Sequence, residues 1–300
     1  MVTETDTRFA WSAIRTGVRR PSHAVDDTGS AGSTRPTTVR PINTECLVSS
    51  AGRVPRDATG DHGLRRRRRS VEQPPLNRAE FTEALYGLRD RYWDRHPFHL
   101  RLHAGGASVE DIRRWVANRW YYQNRLTRKN AAIIANCPVA EVRRLWTQRL
   151  AFYDGDQDSN GGQADWLALA DAVGLDPAEV RDETRVLRGT RFAVDAYLHF
   201  CLTRPWTEAV AAALTEMFSP QHMTDRVQAW RRHYDWIKPD GLAYFEKRIP
   251  VARRDSEVTL ELVLAHCLTR AEQDAAVAAL RFKCDVLGAM LDAIDYAGRQ

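Results

Sequence analysis

The sequence predicts an all-α fold, a bundle of about eight to ten helices in a single domain that follows an N-terminal extension. From Asn77 onward apolar residues recur every three or four positions almost without interruption, which is typical of helices packed on a core. No segment alternates apolar and polar residues as a strand would. A hydrophobic content of 43%, with nine tryptophans, is sufficient for a sizeable core.

The first half of the predicted bundle has clear helix boundaries. The segment NRAEFTEALYGLRDRYW opens it. The next segment, SVEDIRRWVANRWYYQNRLTRKNAAIIAN, begins with a capping box formed by Ser108 and Asp111 and runs for about eight turns until Pro138 ends it. The helix VAEVRRLWTQRLAFYD follows and ends at Gly155, before the polar loop DGDQDSNGGQ.

The second half continues with ADWLALADAVGL and then DPAE, where Asp176 is an N-cap and Pro177 takes the first helical position. Further helices are predicted in RFAVDAYLHFCL, WTEAVAAALTEMF, a segment around 222–231, GLAYFEKRI and SEVTLELVLAHCL. A last long helix begins after Thr269, whose capping partner is Glu272.

Residues 1–76 are predicted to be a disordered extension, and residues 77–300 to form the folded domain. The extension is rich in Ser, Thr, Gly, Pro and Arg, with five consecutive arginines at 65–69, and buries too little apolar surface to become ordered. Residues 1–72 hold 13 arginines and 8 acidic residues, whereas the remainder holds 31 basic and 31 acidic residues. Because the folded part is formally neutral, we expect no nucleic-acid partner and no membrane partner.

Cellular compartment is indicated by what the sequence lacks. It contains no apolar run of eighteen residues and no apolar secretory signal at its start. Its five cysteines are widely spaced, without a CxxC pair. We expect a soluble, cytoplasmic protein with reduced thiols.

Charged residues interrupt the apolar faces of several predicted helices. On a helical wheel Arg119 and Lys129 fall on the same face as Trp115, Leu126 and Ile133. Lys283 likewise shares a face with core-type residues of the last helix, Arg248 lies four residues after Tyr244, and Glu216 lies near the end of the very apolar segment AVAAALTEMF. Such cations either extend to the rim of the face or line a cavity for an anion. Several of them on separate helices favour a shared polar interior, because isolated buried charges are costly.

A resemblance to a known family is carried by the segments WVANRWYYQ, KNAAIIANCP, GTRFAVDAYLHF, LTEMFSP, HYDWIK and ALRFKCDVLGAMLDA. They are similar to pyrroloquinoline quinone (PQQ) synthases, over about residues 85–293. The resemblance implies a haem-oxygenase-like fold, a catalytic domain at 77–300, a homodimer, and an oxidase that uses neither metal nor organic cofactor. The implied reaction closes a ring in a tricyclic precursor and oxidises it by eight electrons with O2, giving PQQ and H2O2.

The resemblance also implies roles for individual residues. Tyr244, Arg248 and Lys283 are implied to surround oxygen or peroxide, and Tyr153 stands where the family has a principal acid or base. Cations suit a precursor rich in carboxylates, because Arg donates in a planar bidentate fashion and Lys supplies a compact charge. The residues implied to bind the substrate are Arg119, Tyr122, Gln123, Lys129, Arg149, Tyr197, Glu216 and Arg226.

Three positions depart from that family, since Trp93, Tyr153 and Met223 stand where pocket histidines are usual. His222 is displaced by one position, which on a helix rotates a side chain by about 100°, so it could replace the histidine only after a local register change. Tyr153 is expected to donate a hydrogen bond and to be a poor base unless arginines lower its pKa. We expect the remaining histidines to pack, cap or lie in ordinary helix or surface positions: His96, His99, His103, His199, His233 and His266.

Four other functions remain open at this point. A di-iron oxidase would need carboxylate and histidine ligands on facing helices, and the sequence has no Glu-x-x-His. A thiaminase-like hydrolase would need a nucleophilic cysteine, whereas Cys137 and Cys201 fit small core positions better. The third is a non-catalytic quinone binder. The fourth is a divergent enzyme that binds or oxidises another polyanionic aromatic compound.

Overall fold

A computed structural model describes residues 73–300, apart from Ser219. Within this range the chain forms eleven α-helices and four short 3-10 helices, and the described residues contain no strand. The all-α prediction is confirmed. In chain order the α-helices are α1 (Arg78–Tyr86), α2 (Pro97–His103), α3 (Val109–Asn136), α4 (Ala140–Asp154), α5 (Gly161–Ala172), α6 (Pro177–Arg181), α7 (Arg188–Thr203), α8 (Trp206–Ala211), α9 (His222–His233), α10 (Ala243–His266) and α11 (Arg270–Gly298).

The predicted capping residues begin their helices as expected. The Ser108 hydroxyl accepts from the Asp111 N–H, and the Asp111 carboxylate accepts from the Ser108 N–H, both at 3.1 Å. Thr269 caps α11 in the same reciprocal way, and Asp176 caps α6. Of the extension predicted at residues 1–76, residues 1–72 lie outside the described residues. Helix α1 begins directly after its N-cap, Asn77.

Helix α10 differs from the prediction, because the two helices expected on either side of Pro250 are one continuous helix. Proline has no N–H for the backbone ladder and usually breaks a helix interior. Here Arg248 reaches across it, and its Nη1 donates to Asp255 Oδ2 at 3.0 Å, two turns further on. This ion pair joins the two halves and favours continuity.

The segment WTEAVAAALTEMF also differs from the single α-helix that its pattern predicts. Helix α8 stops at Ala211, and residues Ala212–Phe218 wind as a 3-10 helix. With three residues per turn, this helix places Ala213 directly over Glu216. Both residues consequently face the interior of the bundle.

A core of four aromatic residues holds α3 against α5, α9 and α10. The rings of Trp115, Trp166, Trp230 and Phe245 are fully or almost fully buried, and their centroids lie 5.5 to 6.4 Å apart in tilted and edge-to-face pairs. Trp115 is one turn before Arg119, so this core fixes the part of α3 that carries the polar residues. No described helix is both long and apolar enough to cross a bilayer.

Candidate active site

An enclosed polar cavity lies between α3, α4, α7, α10, α11 and the 3-10 helix at Ala212–Phe218. Its volume is about 30 Å³, which is room for only a few atoms. Basic residues and tyrosines from different helices dominate its wall. The residues that line it are Tyr122, Leu126, Lys129, Asn130, Arg149, Tyr153, Tyr197, Ala213, Thr215, Glu216, Arg248 and Lys283.

Eight of the twelve residues implied by the resemblance line this cavity, and the other four do not. The Arg119 guanidinium lies 4.3 Å from the centroid of the Tyr122 ring. The Tyr244 hydroxyl donates to Gln123 Oε1 at 2.9 Å, and Arg226 is buried against the Trp115 ring, with its Cζ 4.6 Å from the ring centroid. The eight lining residues are Tyr122, Lys129, Tyr153, Arg149, Tyr197, Glu216, Arg248 and Lys283.

Arg248 is the most heavily bonded cation of the cavity. Its Nη2 donates to both carboxylate oxygens of Glu216, at 2.7 and 2.6 Å, while Nη1 binds Asp255. The Arg248 side chain is 3% exposed, whereas Glu216 is 31% exposed. The two carboxylates raise the pKa of Arg248 against the opposing effect of burial. Arg248 is thus a permanent cation with one buried partner, Asp255, and one partly exposed partner, Glu216.

Asp255 is a site residue that the sequence reasoning missed. Arg149 Nη2 donates to the Asp255 carbonyl oxygen at 2.8 Å and to Thr259 Oγ1 at 2.7 Å, and Arg149 Nη1 lies 3.7 Å from the Asp255 carboxylate. Asp255 therefore holds two cavity arginines at once. Its spacing of seven residues after Arg248, two turns on one helix face, is the signal that could have revealed it.

Lys283 has no carboxylate partner among the described residues. Its Nζ donates to the Tyr122 hydroxyl at 2.7 Å and lies 3.4 Å from the centroid of the Tyr197 ring. Burial, with the charges of Lys129 and Arg119, lowers the pKa of Lys283 well below its usual value. The amine is held by a hydrogen bond and by the face of an aromatic ring, a contact that favours its protonated form.

The cavity tyrosines stay protonated near neutral pH. Burial raises the pKa of Tyr153, although Arg248 opposes this effect, and burial likewise raises the pKa values of Tyr122, Tyr197 and Tyr244. Nearby arginines thus do not make Tyr153 a base. Its hydroxyl is suited to donating a hydrogen bond to an oxygen of a bound molecule.

Lys129 gives the site a testable pH signature. Burial, assisted by Arg149, lowers the pKa of Lys129 to about 8, whereas an unfolded lysine titrates near its ordinary value of about 10.4. Between these values the unfolded chain binds more protons than the folded chain, so this group makes the free energy of unfolding rise with pH. Lys129→Met should reduce that slope between about pH 8 and 9, measured by urea unfolding at several pH values. An unchanged slope would contradict this assignment.

A surface groove of about 310 Å³ ends at Phe152, directly beside the cavity wall. The Phe152 ring packs edge-on against Tyr153 and Tyr244, and the Arg248 guanidinium lies 5.0 Å from its centroid. Gly162 lines the same groove, and a Cβ there would stand 3.2 Å from the Tyr244 ring. One aromatic ring therefore separates the groove from Arg248.

The sequence matches the model of the TENA/THI-4/PQQC family over residues 83–293. The chain belongs to the TENA/THI-4/PQQC family. Among curated relatives it is 47% identical to a pyrroloquinoline-quinone synthase of Pseudomonas putida (strain W619) over 226 residues, 75% of this chain and 90% of that protein. It is 48% identical to the pyrroloquinoline-quinone synthase of Pseudomonas aeruginosa (strain LESB58) over 227 residues, 76% and 91% of the two chains.

Solved structures confirm the haem-oxygenase-like fold of this TENA/THI-4/PQQC member. A domain with a heme oxygenase-like fold from Shewanella denitrificans OS217 superposes with a TM-score of 0.62 at 13% identity, covering 75% of this chain and 94% of the other. A TenA homologue from Pseudomonas syringae pv. tomato gives a TM-score of 0.58 at 10% identity, covering 75% and 98%. At these identities the likeness concerns the fold alone.

The positions at which this TENA/THI-4/PQQC member departs from the synthase pattern lie in two places. Tyr153 lines the cavity, whereas Trp93 lies against a separate group of histidines. The Trp93 ring meets His99 and His222 edge-on, with centroids 4.7 and 4.6 Å apart. His222 is 5% exposed and turned inward, while Met223 is only partly buried. His222 is the first residue of α9 and contacts the histidine and arginine side chains beside Trp93, not the residues that line the cavity.

His96 and His103 also make defined contacts in this family member. His96 caps α2 by accepting from the Phe98 N–H, as expected. His103, expected to be an ordinary helix or surface residue, instead packs against His99 with ring centroids 4.1 Å apart, because α2 turns its last residue toward α9. Among residues 73–300 apart from Ser219, no three His, Cys, Asp or Glu side chains are grouped so as to hold a metal ion.

Proposed function

We propose that this protein is a pyrroloquinoline-quinone synthase, which closes a ring in a tricyclic polycarboxylate precursor and oxidises it by eight electrons with O2, giving PQQ and H2O2. The observation that carries the proposal is one cavity lined by Lys129, Arg149, Arg248 and Lys283, each from a different helix. Relatives with that name, 47% and 48% identical over nine-tenths of their length, support the same function.

The cavity residues have complementary tasks in this function. The arginines and lysines bind carboxylates and stabilise negative charge that develops on the ring as it loses protons. The protonated tyrosines donate hydrogen bonds to ring oxygens. Arg248 and Lys283, by resemblance, face oxygen or peroxide, where the permanent positive charge of Arg248 favours the reduced species over O2.

Substrate entry requires side-chain movement, because a tricyclic molecule is far larger than the 30 Å³ cavity. Glu216 is the one carboxylate among the described residues that line the cavity, is 31% exposed and binds Arg248 through both oxygens. We propose that a substrate carboxylate takes its place on Arg248 and that Phe152 turns toward the groove.

The decisive experiment supplies the purified full-length protein with the tricyclic precursor under air and without added metal. We expect stoichiometric consumption of O2, formation of H2O2 and appearance of PQQ, followed by an oxygen electrode, a peroxidase-coupled assay and chromatography. Activity that requires added iron would contradict the cofactor-free mechanism, and the absence of turnover with several preparations would contradict the synthase.

A quinone-binding protein without turnover is the second candidate, and Trp93, Tyr153 and Met223 favour it, because the usual proton carriers are absent there. Tight binding of PQQ without turnover, unchanged in a Tyr153→His variant, would support this candidate. Appearance of turnover in Tyr153→His would instead identify proton transfer as the missing step.

We propose a homodimer in the cytoplasm, as the resemblance implies. Sedimentation equilibrium of the purified protein should give twice the mass of the 34.2 kDa chain. A monomer at micromolar concentration would contradict the assembly without affecting the reaction.

A further inference from the structure

Three histidines and one arginine form a second buried polar group beside Trp93, which we call the histidine cluster: His99, His103, His222 and Arg226. Arg226 is 2% exposed, and its Nη2 lies 3.0 Å from His222 Nε2 and 3.4 Å from His99 Nδ1. The His103 ring stacks parallel to the His222 ring, with centroids 5.8 Å apart. The cluster thus joins α2 and α9 around one guanidinium.

The contacts require the facing imidazole nitrogens to be unprotonated. Guanidinium groups only donate hydrogen bonds, so His222 Nε2 and His99 Nδ1 must accept. The cluster therefore carries a single positive charge, on Arg226. Burial, reinforced by that charge, lowers the pKa values of His99 and His222 strongly and lowers the pKa of His103 to about 3.

Arg226 lacks the counter-charge that a buried cation normally has. Among the described residues no carboxylate lies within ion-pair distance of it, and aromatic rings cover it, with the Trp115 centroid 4.6 Å from its Cζ. Its Nε and His103 Nε2 are both buried without a hydrogen-bond partner. Two polar atoms of one group are thus available to an additional ligand, and buried polar groups are seldom left in that state.

The other titratable groups that face the cluster do not supply the missing negative charge. They are either cationic or neutral near pH 7, because burial raises the pKa values of the two tyrosines. A bound anion is consequently the simplest source of compensation. The facing groups are Tyr92 before the 3-10 helix at Trp93–Arg95, His96 at the start of α2, Arg119 on α3 and Tyr244 on α10.

We propose that a histidine of the histidine cluster takes up one proton from solvent when the polyanionic ligand places a carboxylate on Arg226, the contact that the family resemblance implies for this arginine. The identity of the ligand rests on the proposed function. A carboxylate beside the imidazoles replaces the repulsion from Arg226 by attraction, which favours the imidazolium. The cluster would then supply a proton-carrying group that positions 93, 153 and 223 lack.

The experiment measures proton uptake with PQQ as the probe and the full-length protein. Titration calorimetry at pH 7 in two buffers of different ionisation enthalpy gives the number of protons bound per PQQ. We expect net uptake, and affinity that falls with rising pH by up to about tenfold per unit for one proton. In His222→Gln the uptake should fall by at least half a proton, because the amide still accepts from Arg226 but cannot titrate.

Two further variants separate the cluster from other sources of uptake. Lys129→Arg keeps the positive charge of the cavity lysine, but the arginine cannot titrate near pH 8. The decrease in proton uptake caused by His222→Gln should therefore also be seen when it is combined with Lys129→Arg. His199→Gln, at an exposed position of α7, should leave uptake unchanged. If His222→Gln does not fold, His103→Gln, at a partly exposed position, serves the same purpose.

The outcomes distinguish this inference from the proposed function. Binding of PQQ with the same proton uptake in the wild type and both histidine variants would overturn the proton uptake by the cluster, although turnover would still support the synthase. Failure of PQQ to bind would also overturn it, and the turnover assay would judge the enzyme independently. Nitrogen chemical shifts of labelled histidines should show one cluster imidazole becoming doubly protonated with PQQ and none without it.

Discussion

Replacing Arg248 by methionine should destabilise the protein by about 3–5 kcal/mol and lower turnover by about 10²–10³-fold. The loss of stability follows from Asp255 and Glu216, which would lose their shared cation while Asp255 stays buried. Methionine preserves the aliphatic volume, so a cavity is not the cause. The ion pair that spans Pro250 would also disappear, which weakens α10 at its proline.

The measurement is chemical unfolding at pH 7, together with O2 consumption on the tricyclic precursor. Arg253→Met is the matched control, because Arg253 lies on the same helix with its side chain 71% exposed, and we expect a change within about 0.5 kcal/mol. The additional change Asp255→Asn in the Arg248→Met background should recover part of the stability by removing the unpaired carboxylate. If Arg248→Met were as stable as the wild type, the contacts of Arg248 with Asp255 and Glu216 would not form a buried ion-pair network in solution.

Replacing Lys283 by methionine should have the opposite effect on stability, an increase of about 1–2 kcal/mol, while turnover falls by about 100-fold or more. Lys283 is 1% exposed and has no acidic partner among the described residues, so the folded protein bears the cost of burying its charge. The thioether fits the same space without that cost. Loss of the hydrogen bond to Tyr122 limits the gain.

Parallel measurements of stability, PQQ binding and oxidation test the Lys283 prediction. Arg281→Met, at an exposed position two residues earlier on α11, controls for a general effect of methionine on that helix. We expect precursor binding to weaken less than turnover, because Lys283 is assigned to the oxygen side. Full oxygen consumption in Lys283→Met would refute the role given to this residue, and lower stability would refute the electrostatic explanation.

Helix types and most boundaries were predictable because they depend on residues close in sequence. Apolar spacing and the caps at Ser108, Asp176 and Thr269 predicted α3, α6 and α11. The prediction was wrong at Pro250, where local rules place a break. The interaction that opposes the break is the buried ion pair between Arg248 and Asp255, which lie on either side of Pro250 on one helix, and the general rule for proline does not include it.

The chemical character of the site was also visible in the sequence. Cations in the apolar stripe of α3 indicated a polar interior, and in the structure Lys129 is buried. The sequence reasoning did not identify Asp255 as the common partner of Arg149 and Arg248. Its spacing from Arg248 is visible within one helix, but Arg149 belongs to α4, which meets α10 only in the folded bundle. It also placed His103 among ordinary residues.

The sequence by itself determined an all-α bundle, its family and a set of charged residues on faces that should be buried. These properties follow from periodicity, capping and residue identity, all of which are local. Only the tertiary structure decided which charges are paired: Arg248 has two carboxylates, whereas Lys283 and Arg226 have none within the part of the chain that the structure describes. The reason is physical, because the energy of a buried charge depends on the groups that distant helices bring within a few ångströms of it.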